Sequence, residues 1–566
     1  MILQHSVGIL IVTYWTQLVN FFSDYLIEAA LGHARHHLLV KLHKKLDFAP
    51  LEKQVSGYHH QAGSGAPVSH PSKKLIRALL VKYLYDLSLR ELEERLYSDM
   101  IVRWFVGYSL FDVPPDHTTL ERFELWQRDH HKSGIFDEVL RQIRGDYLDE
   151  YQTQIGDTYA MRAKAARENL GQLLRHCSQK LLQAGADSLP TGMEMVLQGF
   201  DWTALFGNYP ERQEYKLNPD QRAERLLTTA QAAQDLHQRL TNLLKDRPQD
   251  ELPLLRRELS YLGKILMDEF SQNDGQLQRL SPKQLGSFRL GSATDPQATY
   301  RVHGPDPEDT TFGYNIQMAV SKVGFICETQ AYTGANPDQA GVADLVSAQK
   351  ERLGICPQKL IYDQAAGTGK TRAEVEKASD GQTQLVSFLP DYASRSELFS
   401  PYDFTLSDDG KSLTCPNHKT STVSYPAGEG EGRQFRFYDF QCWQGSLPNG
   451  KRAPDPTATI RCPLWDKCRK PDQGPRSMRQ VFISDHREQV LHAQQYNQTH
   501  EFVQDMKLRS TIERIIFELT HYNGARNCRR LGLGNADWQA HMTATAYNLK
   551  HWLRLSDRRH LACAKG

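Results

Sequence analysis

Apolar residues recur at helical spacing through much of the chain. Leu75, Leu79, Leu80, Tyr83 and Leu84 fall on one face of a helix. Ser88, with Glu91 three residues on, forms the capping-box pattern and starts a short helix over Leu89 to Leu96. Arg103-Trp104-Phe105 opens another apolar patch. Pro114-Pro115 break the chain, and Asp116 to Leu120 caps a further helix that carries Arg122 and Phe123. Leu236, Leu240, Leu243 and Leu244 form one stripe, and Leu255, Leu259, Leu262 and Leu266 a second. Pro248 and Pro253 lie between them, which predicts a helical hairpin. Near the C-terminus, Leu508, Ile512, Ile515, Ile516 and Leu519 predict one amphipathic helix from Lys507 to Tyr522.

Strand patterns occupy two other stretches. Gln152 to Ile155 is a short β-compatible run followed by Gly156-Asp157-Thr158. Taken alone, Asp-Thr in that position is most often a turn or a helix cap. The apolar run Phe312 to Val320, returned by Gly324-Phe325-Ile326, predicts a hairpin over 313–332. A helix near 339–353 follows. Lys359-Leu360-Ile361-Tyr362-Asp363 then reads as a short strand with a carboxylate at its end, and Gln384 to Leu389 as another strand. In an open α/β sheet, strand ends are where sites form.

With 566 residues, the chain has room for about three domains. Charged residues make up 24% and hydrophobic residues 40%, the balance of a globular protein. The net charge of +1 leaves the question of nucleic acid to local patches. One such patch is C-terminal, with ten Lys or Arg against five Asp or Glu over 505–559. Within it, Arg509 and Glu513 stand four apart on one helix face. They suit either an ordinary ion pair or metal-assisted chemistry on a polyanion. Val7 to Leu31 is interrupted by Gln17, Asn20, Asp24 and Glu28, so it is expected to be an amphipathic helix or helix pair and not a span or signal. Gly57 to Pro71 reads as a linker. Nine cysteines, an odd number, argue against a secreted disulfide framework, and a cytoplasmic, non-membrane protein is expected.

Cys415, Cys442, Cys462 and Cys468 crowd a Gly- and Pro-rich segment. Their spacing is looser than that of the tight zinc motifs, so a shared structural Zn²⁺ and unligated thiols both remain open. Gln364 to Thr371 ends in Gly-Lys-Thr between a strand and a helix, as a phosphate-binding loop does. It lacks the first glycine, and Asp363 would oppose the phosphates.

The C-terminal residues carry a resemblance. Arg509-x3-Glu513, Gly524-Ala525-Arg526, Arg530-Leu531-Gly532 and Ala544-x-Ala546-x-Asn548-Leu549-Lys550 resemble the end of bacterial insertion-sequence DDE transposases. The order Arg-Glu-Leu-Glu, Arg-Trp-Phe, Asp-His-Thr-Thr-Leu-x-Arg-Phe is similar to the helical N-terminal domain of the same group. The resemblance implies a ribonuclease H-like mixed sheet flanked by helices, an all-α N-terminal domain, a helical insertion and a cysteine-containing insertion. The implied segments are N-terminal helices and linker over 1–70 and a DNA-binding helical domain over 71–150. A catalytic core follows over 151–165, 286–390 and 501–555, with insertions at 166–285 and 391–500 and a tail at 556–566.

Carried over, Asp157, Asp363 and Glu513 are the metal ligands and catalytic residues. They would hold two Mg²⁺ ions for which Mn²⁺ can substitute. Arg509, Arg526, Arg530, Lys550 and Arg122 are expected to contact DNA. The implied activity is strand cleavage and strand transfer at the ends of an insertion sequence. The implied partners are double-stranded DNA with terminal inverted repeats, target DNA and a second copy of the chain on that DNA, in a nucleoid-associated setting. Two other classes fit the sequence less well: an inactive, domesticated DNA-binding protein and a P-loop nucleotide-binding protein.

Overall fold

The computed structural model describes residues 31–563, apart from 60–68, 110–111, 208–215, 274–275, 305, 307–308, 391–397, 429–430, 439–442, 445–459 and 471–477. The helix expected over Val7 to Leu31, Leu31 excepted, and most of the expected linker therefore lie outside the described residues. No described helix is long and apolar enough to cross a membrane. The chain forms two compact units: Met1–Asp149, Thr158–Pro337 and Glu513–Gly566 make one, and Glu150–Asp157 with Asp338–Ile512 the other.

The first unit opens with helices α1 (Leu38–Lys45), α2 (Ala49–Gln54), α3 (Ser72–Leu84), α4 (Leu89–Ser98), α5 (Met100–Val106), α6 (His117–His130) and α7 (Gly134–Tyr147). Their starts follow the expected chemistry. Ser88 and Glu91 form a reciprocal capping box at α4, and the Asp116 carboxylate accepts from the Thr119 N–H at α6. Strand β1 (Thr153–Arg162) follows and is shared by both units. It is longer than the expected run and passes through Asp157, so that residue lies inside a strand and not at its end. Next comes the helical insertion, with α8 (Leu170–Ser188), α9 (Pro190–Val196), α10 (Trp202–Phe206), α11 (Pro219–Leu244) and α12 (Pro253–Glu269). The two leucine stripes meet as expected: Leu236, Leu240, Leu255 and Leu262 are buried together with Leu173, Leu174 and Leu181 of α8. Each such leucine contributes about 1.5–3 kcal/mol by burial. A small hairpin, β2 (Phe270–Asn273) with β3 (Gln276–Arg279), closes the insertion.

Strands β4 (Thr299–Val302), β5 (Thr310–Ser321) and β6 (Ile326–Thr333) are antiparallel neighbours, β5 pairing both of the others. Gly313 of β5 lies so close to β1 that a Cβ would sit 2.2 Å from the Met161 carbonyl oxygen. In the second unit, α13 (Val342–Leu353) leads to β7 (Lys359–Ile361), α14 (Gly369–Ala378) and β8 (Gln384–Val386). Strand β7 pairs in parallel with both β1 and β8. The strand order is β4-β5-β1-β7-β8, with β6 on β5. Strand β8 stops three residues short of the expected Leu389 because its partner β7 ends at Ile361.

The cysteine-containing segment builds an antiparallel sheet of β9 (Ser424–Ala427), β10 (Gly432–Phe437) and β11 (Arg479–Ser484). Its core includes Phe404, Leu413, Phe435 and Val481. Two helices follow, α15 (Arg487–Asn497) and α16 (His500–Lys507), and then α17 (Ser510–Tyr522) and α18 (Leu533–Cys563). The helix expected from Lys507 to Tyr522 is α17, which starts three residues later at Ser510; Lys507 itself is the last residue of α16. The Leu508 N–H turns back to the Asp505 and Met506 carbonyls and ends α16 there.

Within the first unit, α18 covers β6. The Asn548 amide accepts from the Ile326 N–H at 2.8 Å and donates to the Ile326 carbonyl at 2.8 Å. The Asp537 carboxylate accepts from the Ala331 N–H at 2.8 Å. Side chains thus complete a strand edge whose backbone groups would otherwise be buried without partners. Beside this contact, His541 is buried between Asp537, 3.5 Å away, and Glu328, 3.6 Å away, and Lys132 also pairs with Asp537 at 2.7 Å. Burial disfavours the imidazolium, but Asp537 and Glu328 outweigh it and raise the His541 pKa above its ordinary value. A raised pKa in the folded state stabilises the fold below the unfolded value of about 6.5, and that contribution is lost as pH rises through the folded value. Thermal denaturation across this range should show wild-type stability falling with rising pH. His541→Gln should flatten that dependence and lower stability most at the acidic end.

Candidate active site

The parallel pairing of β1 with β7 matches Thr153 with Lys359, Gln154 with Leu360 and Ile155 with Ile361. Two residues further on each strand stand Asp157 and Asp363. A strand alternates its side chains between faces, so Asp157 shares the face of Ile155, and Asp363, just past β7 in extended backbone, continues the face of Ile361. Both are half-buried. The intervening pair, Gly156 and Tyr362, faces the other way. A Cβ on Gly156 would lie 2.2 Å from a carbon of the Tyr362 ring, so only glycine leaves room for it. The Tyr362 N–H donates to the Val386 carbonyl at 2.9 Å, and the Ser387 hydroxyl donates to the Asp363 carbonyl. Strand β8 thus fixes the backbone that carries Asp363.

One carboxylate oxygen of Asp363, Oδ1, is buried without a hydrogen-bond partner. A buried carboxylate oxygen left so is costly in the absence of a compensating charge, which suits a hard cation. Two adjacent carboxylates on strands form such a donor set. Glu513 is exposed in the first turn of α17 and begins a segment of the first unit, whereas both aspartates belong to the second. Among the described residues, no group of three or more His, Cys, Asp or Glu side chains stands close enough to hold a metal ion. Arg509 lies between α16 and α17, half-buried, with its Nε atom buried and without a hydrogen-bond partner.

The basic residues divide into two kinds. Arg122 and Arg526 are exposed, and the Arg526 carbonyl accepts from the Arg162 N–H at the end of β1 at 2.9 Å. Arg530 is engaged by Glu121 at 2.6 Å and by the buried Glu124 at 3.3 Å. Lys550 donates to the Asn523 side chain at 2.9 Å, and burial pulls its pKa below the ordinary lysine value. Sequence reasoning missed these engagements because Glu121 and Glu124 lie about four hundred residues from Arg530. It also missed Lys359. At the start of β7, that residue binds Glu501 at 2.5 Å, Asp505 at 2.8 Å and the Tyr496 hydroxyl at 2.8 Å, which ties α16 to the strand bearing Asp363. Burial opposes the Lys359 charge, yet these hydrogen bonds carry its pKa above the ordinary value.

The Gly-Lys-Thr stretch has another use. Gln364–Ala366 is a 3-10 turn, and Thr368 caps α14 by accepting from the Thr371 N–H. A Cβ on Gly367 would meet the Phe388 carbonyl oxygen at 1.9 Å, and one on Gly369 would meet His486 at 2.9 Å. Lys370 pairs with Glu431 at 2.5 Å. Close packing accounts for the glycines without a phosphate. Elsewhere in this unit, Cys415, Cys462 and Cys468 line one small cavity with Phe404, Phe437 and Trp465. The Lys419 N–H donates to the Cys415 sulfur at 3.3 Å and the Asn417 amide to the Cys462 sulfur at 3.3 Å. Cys442 lies outside the described residues.

Gly156→Ala should force the Tyr362 ring to move, at a cost of about 1–3 kcal/mol. Denaturant unfolding would measure it, and Gly156→Ala combined with Tyr362→Ala should recover part of the loss.

Residues 28–124 match the family described as Transposase domain (DUF772), and residues 457–553 match the Transposase DDE domain. The second match contains Glu513, Arg509, Arg526, Arg530 and Lys550, and the first contains Arg122; neither contains Asp157 or Asp363. No curated protein and no solved structure matches the chain. The chain carries a transposase domain towards each end, consistent with an insertion-sequence DDE transposase.

Proposed function

We propose that this protein is a DNA transposase that cleaves and transfers strands at the ends of an insertion sequence in a metal-dependent reaction. The observation that carries the reading is the register of β1 on β7, which supports Asp157 and Asp363 as neighbours, together with the unsatisfied, buried Oδ1 of Asp363. The strand order, with β6 and β5 antiparallel on one side of β1 and β7 and β8 parallel on the other, supports a ribonuclease H-like core. Asp157, Asp363 and Glu513 would hold two Mg²⁺ ions, or Mn²⁺ in their place. When bound, such ions lower the barrier to phosphoryl transfer by activating the attacking oxygen and neutralising charge on the leaving one.

The chain's own groups do the rest. Arg509 offers a partly buried guanidinium for a phosphate next to Glu513. Arg122 and Arg526, both exposed, are placed to meet the duplex backbone with an affinity that falls steeply with salt. Arg530 and Lys550 act in the same region. For Arg530 a phosphate would compete with Glu121, and for Lys550 it would favour the charged form that burial disfavours. Terminal inverted repeats and target DNA are the substrates, and a pair of chains acting on two ends accounts for symmetric repeats. Double-stranded DNA as substrate also implies association with the nucleoid in the cytoplasm.

Asp157→Asn, Asp363→Asn and Glu513→Gln keep shape and remove charge. Each should retain folding and DNA binding and lose cleavage of end-bearing DNA by several orders of magnitude with Mg²⁺. Glu518→Gln, on the same helix, should cleave normally. Full activity in all three charge-removing variants would overturn the reading. Metal-dependent nicking by the wild-type protein also separates this function from that of an inactive DNA-binding relative.

Cys415, Cys442, Cys462 and Cys468 are proposed to share one structural Zn²⁺. Three of these residues line one cavity and two of their sulfurs accept an N–H, while Cys442 lies outside the described residues; binding would draw the sulfurs together, since no three described ligands stand close enough to hold a metal. Protein purified without added zinc should contain close to one equivalent, and Cys462→Ser should lose it. Zinc below about a tenth of an equivalent would count against the site.

A further inference from the structure

The exposed face of α17 carries more than Glu513. Phe517 and His521 follow at intervals of four residues, so the three side chains lie along one face, about 6 Å apart per step. The Phe517 and His521 rings stack with centroids 4.0 Å apart and planes inclined by 23°. Tyr522 meets the Phe517 ring at 6.0 Å in an edge-on arrangement. Phe517 is 50% exposed and Tyr522 69%. Three aromatic rings thus form a ridge open to solvent, beginning one turn after the carboxylate.

Tyr522 also edges an open cleft of about 460 Å³ whose lining includes Lys41, Lys550 and Arg554 together with the carboxylates Glu518 and Asp557. Its cations are held in place: Lys41 by Asp557 at 2.7 Å, Arg554 by Glu518 at 3.3 Å and Lys550 by Asn523 at 2.9 Å. Arg514, on the same helix, is exposed. Ridge and cleft lie wholly within the first unit.

We propose that this ridge and cleft bind unpaired nucleotides of the DNA strand next to the phosphate that is cleaved, bases stacking on Phe517, His521 and Tyr522 and phosphates entering the cleft. The inference rests on the reading of the protein as a transposase and adds the form of DNA that one surface selects. Paired bases offer no free face to a protein ring, whereas unpaired bases stack on exposed aromatic side chains beside cations. A second copy of the chain fits the surface poorly. A stable interface between proteins buries about 800 Å² on each side around an apolar centre, whereas the neighbours of these rings are Arg514, Glu518, Lys550 and Arg554.

The test uses the full-length protein without divalent metal, so that cleavage is not required. The probes are a duplex with a short single-stranded tail containing 2-aminopurine and the same duplex with a blunt end. Wild-type protein should bind the tailed duplex more tightly and quench the 2-aminopurine emission. Phe517→Ala and Tyr522→Ala should each weaken tail binding by about tenfold and abolish quenching, with blunt-duplex affinity unchanged. Phe517→Trp should restore both. Both rings are exposed, so melting temperatures should not move. Equal affinity for tailed and blunt DNA, or ring variants that bind the tail normally, would overturn the inference and leave the transposase reading intact. A fall in oligomeric mass in Phe517→Ala would assign the ridge to a copy of the chain instead. Failure of the wild-type protein to bind either duplex would remove both.

Discussion

Parallel pairing between β1 and β7 is the constraint on which the candidate chemistry depends. Parallel strands keep residues in step, so once Ile155 faces Ile361, the residues two further along must also be neighbours on that face. The sequence supplies a carboxylate at both places, and a glycine and a tyrosine at the pair between them. That middle pair fills the opposite face as tightly as the steric limit allows, with the Tyr362 ring over the bare Gly156 Cα. A slip of one residue would send the carboxylates to opposite sides and drive the tyrosine into a side chain. The same packing that stabilises the sheet therefore orders the backbone that carries the two acids, and Oδ1 of Asp363 stays buried without a hydrogen-bond partner.

A second centre of charge lies in the first unit. Glu124 is buried and receives hydrogen bonds from Lys82 at 2.5 Å, the Tyr83 hydroxyl at 2.7 Å, the Trp538 indole at 3.4 Å and Arg530 at 3.3 Å. Burial works against its ionisation, but Lys82 and these donors overcome it and lower its pKa. Nearby, Arg529 binds Asp86 and donates to the Leu87 carbonyl at 2.9 Å. The consecutive arginines of the C-terminal motif thus have a structural task within this unit, alongside any contact with a phosphate. Asn548 is similar: the residue that helps carry the family resemblance is the one that completes the backbone of Ile326.

Much of this was legible in the sequence. The capping box at Ser88, the cap at Asp116, the leucine stripes of the insertion and the hairpin before β7 all arise from local rules of periodicity and capping, and they appear where those rules put them. Asp363 could be located because a strand of three residues ends in front of it. Asp157 was harder, since its strand is polar at its start and continues beyond it as a partner of β5, a pairing that no local pattern announces. The helix expected from Lys507 starts at Ser510, because Leu508, the first residue of its apolar stripe, lies in the turn that ends α16. Long-range charge pairing was invisible altogether. Arg530 reads as a DNA contact and Lys359 as the start of a strand, and nothing local pairs them with Glu124 and Asp505.

The Glu124 centre also bears on how the chain acquires its shape. Lys82 and Glu124 come from the first quarter of the sequence, and Arg530 and Trp538 from its last tenth. During synthesis, the N-terminal helices emerge hundreds of residues before the groups that complete the shell around their buried carboxylate. Contacts of such sequence separation form late and slowly. The two ends of the polypeptide therefore mature together, and a chain cut short before Arg530 would leave its N-terminal helices with an incompletely compensated charge inside them. Translation to full length thus becomes a condition for a sound N-terminal domain.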